Sequence, residues 1–575
     1  MNTNARVWKG RLGRLFLAST ILTSAVGTAV SAQRVPSKSK YGGEATVAIN
    51  NTITGMCFTN INASTNGGAI SSILEPLFLK SDAGKAVGLL AESATPSADL
   101  KTWTIKLRPN ISYTNGQPFN ADSVIENMDY ARGAKYLANP AAYAWTLSNN
   151  LPGSANVLSV TKVDDLTVNM NLDRPQNDVD LALSYPTLGM RASEQLANKD
   201  TCVNKAIGTG PFILDSWTGD TLVAHKNPNY WRTDPNKPGT KLPYLDKITF
   251  VNVKEGSQRA AAVRKGTVDI AMFNGLFDGT FIKDLKQRKS QVKVTSTFAS
   301  SYVSIWLNQG NGGPFADLNA RLAVASCIDR VNFNKVRVKG TGEVPTSSVG
   351  SKNVMYNKTG LVKYNVEKAK GYVAAYLAAN PGKTALAFSM PFEPTTTAQA
   401  NKNFLKQTFA NCNITMNDTT EDLNVWVLKA FNPLTGKNAY DAIYVPLLLE
   451  VDVAVNYGFL VSNMFPIDSK NPLKLFRTVL GAVNNPTHHS NTKLDDLLWS
   501  ARGATTAAEM KRLYKAAMQE IQEQAVFVPI VNVGTSVATS VKSKITGLGS
   551  LQLVKGVKPR AISNVGADWA GIYKG

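Results

Sequence analysis

The stretch Leu89–Val124, LLAESATPSADLKTWTIKLRPNISYTNGQPFNADSV, carries the clearest structural pattern in the chain. Apolar and polar residues alternate over Trp103–Leu107, which is the pattern of a strand buried on one face. Asn115 and Gly116 follow as a turn signal, because both residues tolerate a positive φ. Asn120 then stands where its side chain can cap the first turn of a helix. The stretch therefore predicts a strand, a turn and a capped helix in that order.

Strand patterns, with a period of two residues, and helical patterns, with a period of about 3.6 residues, recur elsewhere in the chain. Alternating or apolar runs predict strands at Ala45–Ile49, Leu166–Leu172, Thr221–Lys226 and Leu245–Phe250. Helical patterns predict helices at Ser257–Lys265 and Ala508–Gln522.

Length and charge bound the class of protein. A chain of 575 residues is too long for one hydrophobic core, so two or three domains are expected. The net charge is +21, but the lysines and arginines are scattered and form no run of five or more. This distribution argues against nucleic-acid binding and favours a solvated basic face, useful near an anionic cell envelope.

Residues 1–32 have the organisation of an export signal. Arg6, Lys9, Arg11 and Arg14 precede the apolar segment Leu15–Val30, and small residues precede a cleavage point before Gln33. Removal of the segment leaves a net charge of +17. The cleavage point carries no cysteine for a lipid anchor. We therefore expect an exported protein of the periplasm or the outer face of the envelope.

The chain contains four cysteines, Cys57, Cys202, Cys327 and Cys412. Because the compartment that an exported protein reaches is oxidising, disulfides are favoured over metal binding. None has CxxC spacing, and three pairings are possible.

Motifs for catalysis, cofactors and metals are missing from the sequence. Of the three histidines, His225 lies in a predicted strand, while His488 and His489 are adjacent, so their side chains diverge. HExxH, GxSxG and Walker A motifs do not occur. The sequence predicts neither an enzyme nor a resident metal or cofactor.

The stretch Leu89–Val124 closely resembles the signature of the family-5 solute-binding proteins of ABC importers, the oligopeptide, dipeptide and nickel-binding group. Other motifs of that family recur in the same order from about Gly42 to about Gly547; among them are Leu74–Leu79 (LEPLFL), Gly208–Phe212 (GTGPF), Asn227–Trp231 (NPNYW), Gly266–Ile270 (GTVDI), Pro314–Asp317 (PFAD) and Ile328–Arg330 (IDR).

The resemblance implies a large α/β protein of the periplasmic-binding-protein type (class II), with two lobes that close by a hinge over a central cleft. Lobe I is expected at 33–75 and 176–298 with a C-terminal return at 530–575, an extra subdomain at 76–175, and lobe II at 299–529. Because a bridge between lobes would lock the hinge, these lobes favour the pairs Cys57–Cys202 and Cys327–Cys412.

Peptide-binding members place an acid that pairs with the peptide amine after a β-run. The matching position is Glu450, with Asp452 as the reserve candidate. Leu447 stands where those members have tryptophan, and no Asp-Pro follows. The ligand class therefore stays open.

Three further segments line the cleft or cover the ligand in such proteins. They correspond to the loop Asn51, Thr52, Ile53 and Thr54, to the loop Met272, Phe273 and Asn274, and to Tyr143 and Trp145 in the extra subdomain. Phe273 and both subdomain aromatics fit a hydrophobic core equally well.

The function that the resemblance implies is a monomeric, non-catalytic substrate-binding component that captures oligopeptides and delivers them to an ABC permease. A non-peptide solute, such as a metal chelate, haem, a glycan or another small polar molecule, is the first alternative. An exported hydrolase and a wall-associated adhesin are more remote ones.

Overall fold

A computed structural model gives the fold, and residues 40–575 form one unit within it. The structure describes residues 40–50, 52–53, 55–59, 68–136, 156–197, 205–310, 312–351, 353–430, 438–447, 457–462, 485, 487–552, 554, 556–558 and 567–575.

The strands of the described residues are β1 Glu44–Ile49, β2 Phe78–Lys80, β3 Ala86–Gly88, β4 Ala91–Pro96, β5 Thr102–Leu107, β6 Val157–Asp164, β7 Thr167–Leu172, β8 Phe212–Trp217, β9 Thr221–Lys226, β10 Lys247–Asn252, β11 Ile270–Asn274, β12 Val292–Leu307, β13 Leu386–Phe392, β14 Ile414–Thr420, β15 Ala442–Leu447, β16 Phe527–Ser540, β17 Ile545–Thr546 and β18 Tyr573–Lys574.

The α-helices of the same residues are α1 Ala121–Ala131, α2 Val179–Ala182, α3 Ser193–Ala197, α4 Gly256–Lys265, α5 Gly275–Gln287, α6 Leu318–Cys327, α7 Arg330–Arg337, α8 Val366–Ala379, α9 Thr396–Ala410, α10 Leu423–Ala430, α11 Tyr457–Leu460, α12 Thr492–Arg502 and α13 Ala507–Glu523.

The stretch Leu89–Val124 folds largely as predicted. Strand β5 buries Trp103, Ile105 and Leu107. Asn120 caps α1 in a reciprocal capping box with Ser123. Gly116 takes φ +86° in the turn between them, whereas Asn115 stays outside the positive-φ region. Strand β5 lies inside a four-stranded antiparallel sheet of order β4-β5-β7-β6, which packs against α1.

The largest sheet of the described residues has eight strands in the order β15-β12-β16-β11-β1-β10-β9-β8. Strands β12 and β16 pair antiparallel over most of their length, with a shift of register between Thr297 and Ser301. One end of this pair carries β11 and the other carries β15, so the two long strands join both parts of the sheet.

The sheet is covered on both faces around β12, which explains why residues of either orientation in that strand are apolar. Tyr302 and Trp306 of β12 pack into one core, and Val303 and Ile305 pack into another on the opposite face. The lobe boundaries inferred from the family resemblance stay a prediction.

The parallel pair β13–β14 lies beside β15 and is flanked by α8 and α9, and α6 packs against these two helices. The disulfide Cys327–Cys412 ties the end of α6 to the turn before β14, which confirms that predicted pair. Cys57 is also disulfide-bonded, and its predicted partner Cys202 lies outside the described residues.

Several of the quoted sequence motifs meet at one buried carboxylate, Glu75. It accepts hydrogen bonds from Thr209 (2.9 Å), Tyr230 (2.6 Å) and Trp231 (3.0 Å). Burial raises the pKa of Glu75, and the nearby guanidinium of Arg232 opposes that rise. These motif residues therefore build the interior of the fold.

Candidate functional site

Two pairs of parallel strands end close to one another, β1 with β11 and β13 with β14. The helix after each pair begins at this point: α5 follows β11 and α9 follows β13. Thr397 in the first turn of α9 donates a hydrogen bond of 3.4 Å to the carbonyl oxygen of Phe277 in the first turn of α5. Ligands of open α/β sheets bind at the carboxyl ends of strands. The candidate site is therefore the region between these two carboxyl edges.

The β1 edge is held by hydrogen bonds from neighbouring loops. Thr52 accepts a bond of 3.0 Å from the side chain of Asn252, and the backbone of Ile53 donates to Gly219. The side chain of Ile53 is buried in the core, so Thr52 is the residue of this pair that offers polar atoms. Asn51 and Thr54 lie outside the described residues.

The β11 edge is built around the buried side chain of Asn274, which is 7% exposed. The side-chain Oδ1 of Asn274 accepts a hydrogen bond from the backbone of Leu276 and so caps α5. The backbone N–H of Asn274 donates to the carboxylate of Asp278. Arg259 pairs with Asp278 at 2.6 Å and donates to the carbonyl of Met272. Burial raises the pKa of Asp278, which the guanidinium counters. This network fixes the start of α5.

Met272 and Phe273 point to opposite faces of the sheet, and both are buried. Met272 lies in the core beneath β1, and Phe273 packs with Val263 and Ile282 on the other face. Only 1% of the surface of Phe273 is exposed. In this conformation the core role of Phe273 is the one that the structure displays.

Across the cleft, Glu393 stands directly after β13, before the Thr395 cap of α9. Burial raises the pKa of Glu393 to about 7, and Asp422 adds to the rise. Beside it the rings of Phe392 and Tyr444 stack at 5.8 Å. The carboxylate of Glu393 has no cationic partner among the described residues, so it can accept a donor from a ligand.

The remaining predicted residues are placed only in part. Leu447 is the last residue of β15 and lies opposite Tyr302 of β12. Its side chain is outside the described part of the chain, as are Glu450 and Asp452, which follow it. Tyr143 and Trp145 are outside as well.

Sequence reasoning missed Glu393. A signal was present, because an acid follows the apolar run Leu386–Phe392 and precedes a Pro-Thr-Thr helix start. No strand is predicted for this run, so the position of Glu393 at a sheet edge is not apparent from the sequence.

Among the described residues, no cluster of three or more histidine, cysteine or acidic side chains could hold a metal ion. His489 is buried, with its Nε2 3.0 Å from the carbonyl oxygen of Leu460, and burial lowers its pKa to about 4. His225 lies on the exposed face of β9 against Asp215.

Within the described chain, no helix is both long and apolar enough to cross a membrane.

Comparison with known proteins gives one family. Residues 85–444 match the bacterial extracellular solute-binding proteins, family 5 middle. The glutathione-binding protein GsiB of Escherichia coli K12 is 26% identical over 492 residues, which cover 84% of this chain and 88% of that protein.

Solved structures share the fold. The periplasmic binding protein AgaA from A. tumefaciens R10, in complex with agropinic acid, superposes with a TM-score of 0.75 at 18% identity, covering 93% of this chain and 99% of that one. DppA from Helicobacter pylori, in complex with the peptide STSA, gives 0.71 at 18% identity over 93% and 98%. NikZ from Campylobacter jejuni, with Ni(L-His), gives 0.69 at 16% identity over 92% and 97%.

Fold and site together define a solute-binding protein of the two-lobed α/β class. The chain belongs to family 5 of the bacterial extracellular solute-binding proteins, and it is the substrate-binding protein of an ABC transporter.

Proposed function

We propose that the protein is exported by its first 32 residues, captures oligopeptides between two lobes, and delivers them to a membrane permease without chemical change. The observation that carries the ligand class is the acidic character of the β13–β15 edge. Glu393 stands there without a described cationic partner, and Glu450 follows β15 in the sequence. A peptide amine would pair with such a carboxylate, because an unpaired buried charge is costly.

The opposite edge suits the peptide backbone. Thr52 presents a hydroxyl group near the end of β1, and Asn274 lies at the end of β11, where its side chain caps α5. A bound peptide exposes a row of backbone donors and acceptors, which such groups recognise irrespective of sequence. Asn51, Thr54, Tyr143, Trp145 and Asp452 remain proposed contacts.

Closure would follow from ligand binding, because a ligand that contacts both lobes favours the closed state. A micromolar dissociation constant corresponds to about −8 kcal/mol. That free energy exceeds the few kcal/mol that separate the conformers of a typical two-state protein. The long strands β12 and β16 are the proposed hinge, and a single copy of the chain would suffice.

A non-peptide solute is the second candidate. Leu447 replaces the tryptophan of peptide-binding members, and the relatives include proteins solved with agropinic acid and with Ni(L-His). Small solutes that carry an amine would use the same carboxylates.

Isothermal titration calorimetry of the chain from residue 33 tests the peptide proposal. A tripeptide with a free amine is expected to bind with micromolar affinity, and its N-acetylated form at least about tenfold more weakly. Glu450→Gln and Glu393→Gln would each reduce this discrimination. The exposed Glu367→Gln on α8 is the matched control and should change nothing. Equal binding of both peptides would refute the proposed pairing of the peptide amine with a carboxylate.

A further inference from the structure

The edge of the large sheet opposite the candidate cleft carries a dense group of cations. We call it the basic edge, and it consists of Arg264, Lys265, Arg288, Lys289, Lys293 and Lys542. These residues end α4, follow α5, begin β12 and follow β16. The amino ends of β11 and β12 lie here, and the 13 residues of α5 separate this edge from the cleft by about 20 Å.

Contacts show that these residues form one surface. The ammonium of Lys542 donates to the carbonyl of Lys265 at 3.3 Å. Lys293 lies opposite Thr539 of β16. Arg264 and Arg288 both reach the same oxygen of Asp284, at 3.5 and 2.8 Å.

The charges at the basic edge are mostly uncompensated. Asp284 is shared by the two arginines, so it offsets one charge of the two. Lys265, Lys289, Lys293 and Lys542 have no carboxylate of the described residues within the 4.0 Å of an ion pair. Cations at helix ends are stabilised by the helix dipole, which accounts for Arg264 and Lys265. It does not account for Lys289, Lys293 and Lys542, which lie outside helices.

From the excess of exposed cations at this edge, where four lysines have no described carboxylate within 4.0 Å, we infer that the basic edge is a docking surface for anionic phospholipid headgroups. The inference rests on the proposed export. Each lysine near an anionic membrane contributes about 1 kcal/mol, or roughly fivefold in partitioning. The protein would thus stay near the membrane that holds its permease, with the cleft facing away from the lipid and open to solute.

Co-sedimentation of the chain from residue 33 with vesicles tests this surface. Vesicles of phosphatidylglycerol and phosphatidylcholine are compared with pure phosphatidylcholine, at low and high salt. We expect binding to the anionic vesicles alone and its loss at high salt, since salt screens exposed charges. No binding at low salt, or equal binding to both vesicles, would overturn the inference.

A matched pair of variants separates this surface from net charge. The triple variant Lys265→Gln, Lys289→Gln, Lys293→Gln should partition on the order of 100-fold more weakly. The control Lys358→Gln, Lys363→Gln, Lys368→Gln removes three exposed charges elsewhere and should bind like the unmodified chain. Equal losses in both variants would overturn the inference in favour of general charge attraction.

Solute capture by the same samples, read by native mass spectrometry, keeps the two claims apart. Capture without vesicle binding refutes the membrane surface alone. Vesicle binding by a chain that captures no solute leaves the surface supported and refutes the proposed function.

Discussion

The hydroxyl of Thr397 donates to the carbonyl oxygen of Phe277 at 3.4 Å and joins the first turns of α9 and α5. These turns follow β13 and β11, whose carboxyl ends form the two sides of the candidate cleft. Because the two turns belong to different proposed lobes, we expect this hydrogen bond to form or break as the lobes close or open.

Thr397→Val removes this bond at nearly constant volume. A typical hydrogen bond contributes about 1 kcal/mol, so the solute affinity should fall by up to about fivefold if the closed state alone contains the bond. Thr408→Val is the control, because Thr408 donates to Phe404 within α9 at 2.9 Å. Calorimetry measures the solute affinity of both variants. An equal change of affinity in the two would show that the Thr397 hydrogen bond is not specific to closure.

Glu393→Gln should change the pH dependence of stability. The folded pKa of Glu393 is raised to about 7, above the ordinary glutamate value of 4.5, so between these values the folded state binds more protons than the unfolded state. Stability of the unmodified chain therefore falls as pH rises through this window, by up to about 3 kcal/mol from this group. Urea unfolding at about pH 5 and pH 8 should show the variant gaining stability relative to the unmodified chain at the higher pH. A constant difference between the two would contradict the raised pKa.

Asp178→Asn should destabilise the fold strongly. Asp178 pairs with Arg502 at 3.2 Å, and the Arg502 side chain is 0% exposed. Removing one partner of a buried ion pair costs about 3 kcal/mol, because a buried charge loses its counter-ion. Glu509→Gln, which breaks the exposed pair with Arg512, is the control and should have no measurable effect. Equal midpoints of urea unfolding for the two variants would refute the role of burial.

Loss of the disulfide Cys327–Cys412 should destabilise the fold. Cys327 and Cys412 close a loop with a sequence separation of 85, which corresponds to about 4–5 kcal/mol in the chain-entropy account. The double variant Cys327→Ala, Cys412→Ala should lose about 2–5 kcal/mol, the usual cost of removing a native disulfide. Unfolding in urea measures it. A loss well under about 1 kcal/mol would mean that the unfolded chain is already compact there.

The local part of the fold could be predicted because short segments carry their own pattern. The alternation around Trp103 and the cap at Asn120 give β5 and α1 almost to the residue. Leu513, Ala517 and Ile521 are buried on one side of α13, as their helical spacing predicts.

The site could be predicted only in outline, because its groups are brought together by distant parts of the chain. Asn274 owes its position to Asp278 and Arg259, and neither contact has a signature in the sequence. Glu393 gains its raised pKa from burial, which only the packed structure supplies. Family resemblance supplied Glu450 by position, and that role stays a prediction.

Native mass spectrometry of the chain from residue 33, with any bound molecule ejected and fragmented, tests whether the protein captures peptides. We expect a set of copurifying peptides with free amines, whose lengths would measure the cleft. A single discrete non-peptide mass would contradict the peptide ligand while leaving the transport role in place.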